Sequence, residues 1–379
     1  LTRFDAPCYP GGSDTRRQHI GERSHREITV MLHAISGLIV FSLLFPNQLF
    51  AQPRKPATVS EISTYMGADR EQLLYAGAKS EGVITWYTSL AGDSYKTLAR
   101  AFETKYPGVR VEAFRAGGSE LVTRMSEETK ARRPTMDALE TTYDFTMVSK
   151  AYSLTRPYNS PLLAAYPSDA KEKADAGLTF WTIFRESYMG FGFSKDQVPA
   201  DAVPKGFDGL LHPQLKGKFG ITLNESSARM IGAMIKIKGE AFVKKLKAQQ
   251  IRIYTVSSAA LVDLMASGEL GASFHIYRNH AMVSAERGSP ASWVPMELVP
   301  TNSGCVSLSA QPPHPHAATL FVDFLLGAEA RKVLEKFQYG HPSNNLPFKR
   351  WHPGFGRSLE QFEKDSEKWE KLAKEITQR

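Results

Sequence analysis

Two stretches of alternating strand and helix patterns, 82–150 and 215–290, limit this chain more than any other feature. A strand whose following helix returns it to a parallel neighbour packs only as a layered α/β sheet. In the first stretch Gly82 precedes the β-forming run Val83-Ile84-Thr85-Trp86-Tyr87, and Tyr95, Leu98, Phe102 and Tyr106 then recur at helical spacing until Pro107-Gly108 ends the pattern. Residues 109–114 alternate as a second strand, Gly117-Gly118-Ser119 follows, and 121–130 reads as a helix. In the second stretch 218–223, 251–256 and 271–277 read as strands, and 225–238, 240–249, 259–268 and 279–286 read as helices.

The region between the two stretches has a different character. A Pro-rich segment, 157–167, leads into the aromatic run 180–193, which contains Gly190 and Gly192, and a second unusual connector, 293–309, leads to a helix over 317–326. The reading is an α/β protein of two lobes, each a mainly parallel sheet flanked by helices, joined by two crossover strands at about 186–195 and 297–310. The first lobe comprises 82–192 plus 299–340 and the second 193–298. The remainder, 341–379, is a loop and a charged amphipathic helix with Leu359, Phe362, Trp369 and Leu372 as its apolar contacts. A chain of 379 residues is long enough for two such cores.

Residues 1–51 read as an upstream extension followed by an export signal. From Met31, an apolar run over 34–45 is followed by Pro46 and then by Leu49 and Ala51, at the minus-three and minus-one positions of a signal-peptide cleavage site. That run is shorter than the about 20 residues of a membrane span. Cleavage after Ala51 removes Cys8 and leaves Cys305 alone, a small buried residue with no disulfide partner. The mature chain is expected to be exported.

The net charge of +8 is spread along the chain, with no basic arm and no aromatic-basic RNA motif, so nucleic acid is not an expected partner. Enzyme signatures are missing as well. There is no G-x-S-x-G, P-loop, H-E-x-x-H, G-x-G-x-x-G or C-x-x-C, and neither a catalytic residue nor a cofactor is expected. His275 and His280 are assigned to core or rim packing, and 312–316 to a rigid turn before a helix.

In parallel α/β sheets, ligands bind beyond the carboxyl ends of the strands, where helix N-termini present free N–H groups. Here those junctions carry Thr88-Ser89, Gly118-Ser119, Ser226-Ser227 and Ser258, with Thr142, Tyr143 and Tyr277 at strand ends. Each hydroxyl is also a good helix cap. Together they suggest an anion-binding crevice between the lobes, with Arg115 an anion partner or an exposed counter-charge.

The runs VITWYTS (83–89), AFETKYPGVRV (101–111), GGSEL (117–121), YNSP (158–161), FDGLLHPQLKGK (207–218), SGELGA (267–272) and AATLFVDFLL (317–326) occur in an order and spacing that resemble periplasmic substrate-binding proteins of ABC importers. The likeness is to the ferric-iron-binding type within extracellular solute-binding protein family 1. It covers 80–340 and implies the type II periplasmic-binding-protein fold, hinge closure on a small ligand, and delivery by a monomer to an inner-membrane permease without catalysis. It also implies a comparison with iron ligands. Where ferric binders have consecutive tyrosines this chain has Ile276-Tyr277, the acidic ligand falls on Thr142 and the histidine near Ala91. Ferric iron needs several anionic oxygens, and Tyr277 alone among these could supply one. The expected ligand is therefore a small organic or inorganic anion, with a ferric-iron receptor, a sensory ligand-binding module and an exported enzyme as the alternatives.

Overall fold

The computed structural model describes residues 55–378. The extension and export signal expected over 1–51, with Cys8, lie outside them. The chain runs through α1 (Val59–Thr64), α2 (Arg70–Glu81), β1 (Val83–Thr88), α3 (Ser94–Lys105), β2 (Arg110–Arg115), α4 (Gly118–Lys130), β3 (Ala138–Thr142) and α5 (Tyr143–Ala151). Next come β4 (Thr155–Arg156), β5 (Lys171–Lys173), β6 (Thr179–Ser194), β7 (Gly220–Ile221), α6 (Glu225–Lys238), α7 (Glu240–Lys245), β8 (Arg252–Ile253), α8 (Ala260–Ala266), β9 (Ala272–Tyr277) and α9 (Arg278–Glu286). The last elements are β10 (Ala291–Val294), β11 (Val299–Ser309), α10 (Pro315–Leu326), α11 (Ala328–Lys336), β12 (Arg350–Trp351) and α12 (Leu359–Thr377).

Parallel pairing follows the βα units. Strand β1 lies between β2 and β3, with Val83 opposite Arg110 and Trp86 opposite Ala138. The two long strands add antiparallel neighbours, so the large sheet is mixed. The first half of β6 pairs with β11, from Val306 opposite Thr182 to Thr301 opposite Tyr188. Its second half leaves β11 and pairs instead with β9, Met189 opposite Tyr277, and with β10, Val294 opposite Phe191. One strand therefore joins two neighbourhoods, as the crossover reading requires.

Two main cores form on either side of this switch. The first packs Trp86, Phe102 and Phe321 together, with Phe321 ring centroids 5.0 Å from Trp86 and 4.9 Å from Phe102. The second gathers Met189, Phe191, Phe219, Met230 and Phe274. On β6 the membership changes between Phe184 and Met189, and on the return between Leu298 and Cys305. Helix α12 belongs to the second core, which it enters with Phe362, Trp369, Leu372, Ala373 and Ile376, while Leu359 is only half-buried.

Some elements are shorter than their sequence pattern. The strands expected over 218–223 and 251–256 reduce to the two-residue pair β7 and β8, and Ile253 and Val256 face solvent. The helix expected over 240–249 stops at Lys245 and finishes as a 3-10 turn. Cys305 is fully buried in β11, and burial raises its thiol well above the ordinary range. Among the described residues no helix is long and apolar enough to cross a membrane.

The glycines of the aromatic run are needed for close approach. A Cβ on Gly192 would lie 2.5 Å from the side chain of Ile276 on β9, and one on Gly190 would lie 2.5 Å from the carbonyl of Val294 on β10. Gly192→Ala is expected to destabilise the fold by about 1–3 kcal/mol in chemical denaturation, the usual cost of overpacking. Adding Ile276→Ala should return part of that loss, whereas equal stability of wild type and Gly192→Ala would show that the strands are not so tightly apposed.

Candidate functional site

Helices α5 and α9 begin directly where strands end. Thr142 is both the last residue of β3 and the N-cap of α5, and Tyr277 stands in the same relation to β9 and α9. Neither helix receives a side-chain cap, so the N–H groups of their first turns remain available to an anion. Helix α6 is capped: Asn224 Oδ1 accepts from the backbone N–H groups of Ser226 at 3.0 Å and Ser227 at 3.2 Å.

The structure brings one set of the candidate residues together. The Ser226 and Tyr277 hydroxyls lie 2.8 Å apart, and Asn224 Nδ2 donates to Ser258 Oγ at 3.4 Å. Ser227 is buried and its hydroxyl donates to the Asn224 carbonyl, which leaves it a structural part of the cap. One turn along α6, the buried Arg229 donates from Nη2 to Asp144 Oδ2 at 2.9 Å, and Thr142 Oγ1 donates to Asp144 Oδ1 at 2.6 Å. This ion pair links α5, beside the β1–β3 sheet, to α6 of the second core. Burial alone would weaken the charge on Arg229, but Asp144 and Tyr277 more than restore it.

The other candidates are engaged differently. Thr88 is fully buried and donates to Glu140 Oε2 at 2.6 Å, and the Ser89 and Leu90 backbone N–H groups donate to the same oxygen at 2.9 and 3.1 Å. Glu140 Oε1 in turn accepts from Arg185 Nε at 3.0 Å and Nη2 at 2.5 Å. Thr88 therefore serves a buried ion pair, and Ser89 shares that duty. Gly118 packs beneath the Phe145 ring with no room for a Cβ, and Ser119 is exposed. Tyr143 stands edge-on to Trp181 and beside Phe355, a packing role. Arg115 is exposed and donates to the Leu90 carbonyl.

Sequence reasoning passed over Asp144, Asn224 and Arg229. The i, i+3 spacing of Ser226 and Arg229 was the available signal, since it places both on one face of α6. His280 meets the Tyr277 ring edge-on at 5.6 Å, and burial pushes it down to about 4, so it is neutral at pH 7. His275 is likewise buried at about 4 and accepts the Thr222 N–H. In the 312–316 turn, His314 binds Asp137 and His316 binds Glu81, each at 2.8 Å. A cavity of about 370 Å³ lies between residues 91–93, after β1, and the Asn279, His280 and Val283 side of α9.

Residues 97–345 match the family model described as bacterial extracellular solute-binding protein, and the chain belongs to that family. No curated protein sequence matches it. Among solved structures, iron-bound HitA from Pseudomonas aeruginosa is 20% identical, with a TM-score of 0.62 over 76% of this chain and 99% of that one. The substrate-binding protein of an ABC transporter from Agrobacterium tumefaciens is 15% identical, with a TM-score of 0.66 over 79% of this chain and 97% of that one. AfuA from Actinobacillus pleuropneumoniae, solved with fructose-6-phosphate, is 20% identical, with a TM-score of 0.61 over 79% of this chain and all of that one. These likenesses show the two-lobed α/β fold of periplasmic binding proteins.

The Glu140–Arg185 pair gives a direct test of this assignment of Thr88 and Ser89. Arg185→Leu is expected to destabilise the protein by about 3–5 kcal/mol because it strands a buried carboxylate. Adding Glu140→Leu should recover only part of that loss in urea unfolding, because it also takes the acceptor from the buried Thr88 hydroxyl. A double variant no more stable than the single one would show that the pair is worth more than its desolvation.

Proposed function

We propose that the chain is a periplasmic receptor that captures a small anionic solute between its lobes, closes about β6 and β11, and presents it to the permease of an ABC importer. The observation that carries this reading is the buried guanidinium of Arg229, one turn along α6 from Ser226, whose hydroxyl meets that of Tyr277 at 2.8 Å, and joined to Asp144 in the first turn of the uncapped α5. The guanidinium N–H groups that Asp144 does not take can donate to an anion, and the N-terminal dipoles of α5 and α9 act in the same direction. Membership of the solute-binding family supports capture without chemical conversion, and the segment over 31–51 supports export.

The test is native mass spectrometry of residues 52–379 purified from a bacterial periplasm. A bound organic or inorganic anion is the expected result. That anion should bind Tyr277→Ala at least about tenfold more weakly than wild type, with an unchanged circular dichroism spectrum. Equal affinity in the variant would place the seat elsewhere. Ferric iron as the sole tight ligand would contradict the anion reading.

A further inference from the structure

We propose that Arg229 reads the solute's anionic group and that Asp144 competes with that group for the same guanidinium. The assignment rests on the receptor reading above and adds the specificity-determining residue and the exchange that goes with binding. Arg229 and Asp144 side chains are only 10% and 14% exposed, yet Asp144 takes a single hydrogen bond from the guanidinium, Nη2 to Oδ2 at 2.9 Å. A buried ion pair roughly offsets its own desolvation, so an incoming oxyanion gains Arg229 only against the cost of leaving Asp144 without its counter-charge. An oxyanion that accepts two guanidinium N–H groups side by side does better than this one-bond contact.

The exchange also leaves neither partner stranded. Asp144 is the second residue of α5, a helix with no side-chain cap, so its released carboxylate sits at the positive end of the helix dipole. Thr142 Oγ1 already donates to its other oxygen at 2.6 Å. On the other side, Arg229 takes the incoming oxyanion in place of Asp144. Because Asp144 stands on α5 beside the β1–β3 sheet and Arg229 on α6 of the second core, arrival of the anion replaces one contact between them with another. Asp144 thereby sets a threshold: a weak, poorly shaped anion does not displace it.

Thermal-shift and calorimetric titrations of wild type, Arg229→Gln and Asp144→Asn with inorganic phosphate and with citrate test the exchange. At least one of the two anions is expected to stabilise wild type, to bind Asp144→Asn about five- to tenfold more tightly, and to lose its effect in Arg229→Gln. All three proteins should share one circular dichroism spectrum. Weaker binding to Asp144→Asn, equal stabilisation of Arg229→Gln, or no response of wild type and Asp144→Asn to either anion would overturn the proposal. An anion that copurifies with wild type and Arg229→Gln in equal yield would overturn the Arg229 assignment while the receptor reading stands. Wild type that yields no anion and responds to none would overturn both.

Discussion

Arg185 and Glu186 are neighbours on β6, and strand alternation sends their side chains to opposite faces of the sheet, shortly before β6 passes from β11 to β9 between Tyr188 and Met189. Both are buried, so each charge must find its counter-charge inside the protein. Arg185 reaches Glu140 on β3, through space left by Gly304, whose Cβ would collide with the guanidinium. Glu186 takes Arg350 at 2.8 Å and the Tyr188 hydroxyl at 3.0 Å, with His352 at 3.4 Å. Two adjacent residues thus tie the crossover to β3 on one face and to the C-terminal segment on the other. Along β6 these polar contacts fall between Phe184 of the first core and Met189 of the second.

That arrangement explains which parts of the fold were legible in the sequence. Val83–Thr88 and Ala272–Tyr277 are dense in β-formers or fully buried, and the pattern located both. The runs around β7 and β8 have similar composition but leave Ile253 and Val256 in solvent, so tertiary context shortened them. The antiparallel pairing of β6 was not legible, because pairing partners far apart in sequence leave no local trace.

The candidate site was legible only at its helix ends. Ser226, Ser227, Ser258 and Tyr277 stand at junctions that strand-helix alternation marks, and they do assemble. Thr88 looks the same in sequence, but its hydroxyl is held by Glu140, a residue that reads as an ordinary strand position. Arg229 reads as an ordinary helix-surface charge until Asp144, 85 residues earlier, is brought against it. A charge becomes a candidate ligand-binding group only when burial and its partner are both known.

The central claim is that two lobes close about the crossover strands on a small anion. Small-angle X-ray scattering of residues 52–379, first with the copurified solute and then after its removal by partial unfolding and refolding, measures that motion directly. The account expects a smaller radius of gyration with solute bound and a larger one without it, restored when the solute returns. Identical scattering in the two states, with binding confirmed by calorimetry, would contradict closure about β6 and β11.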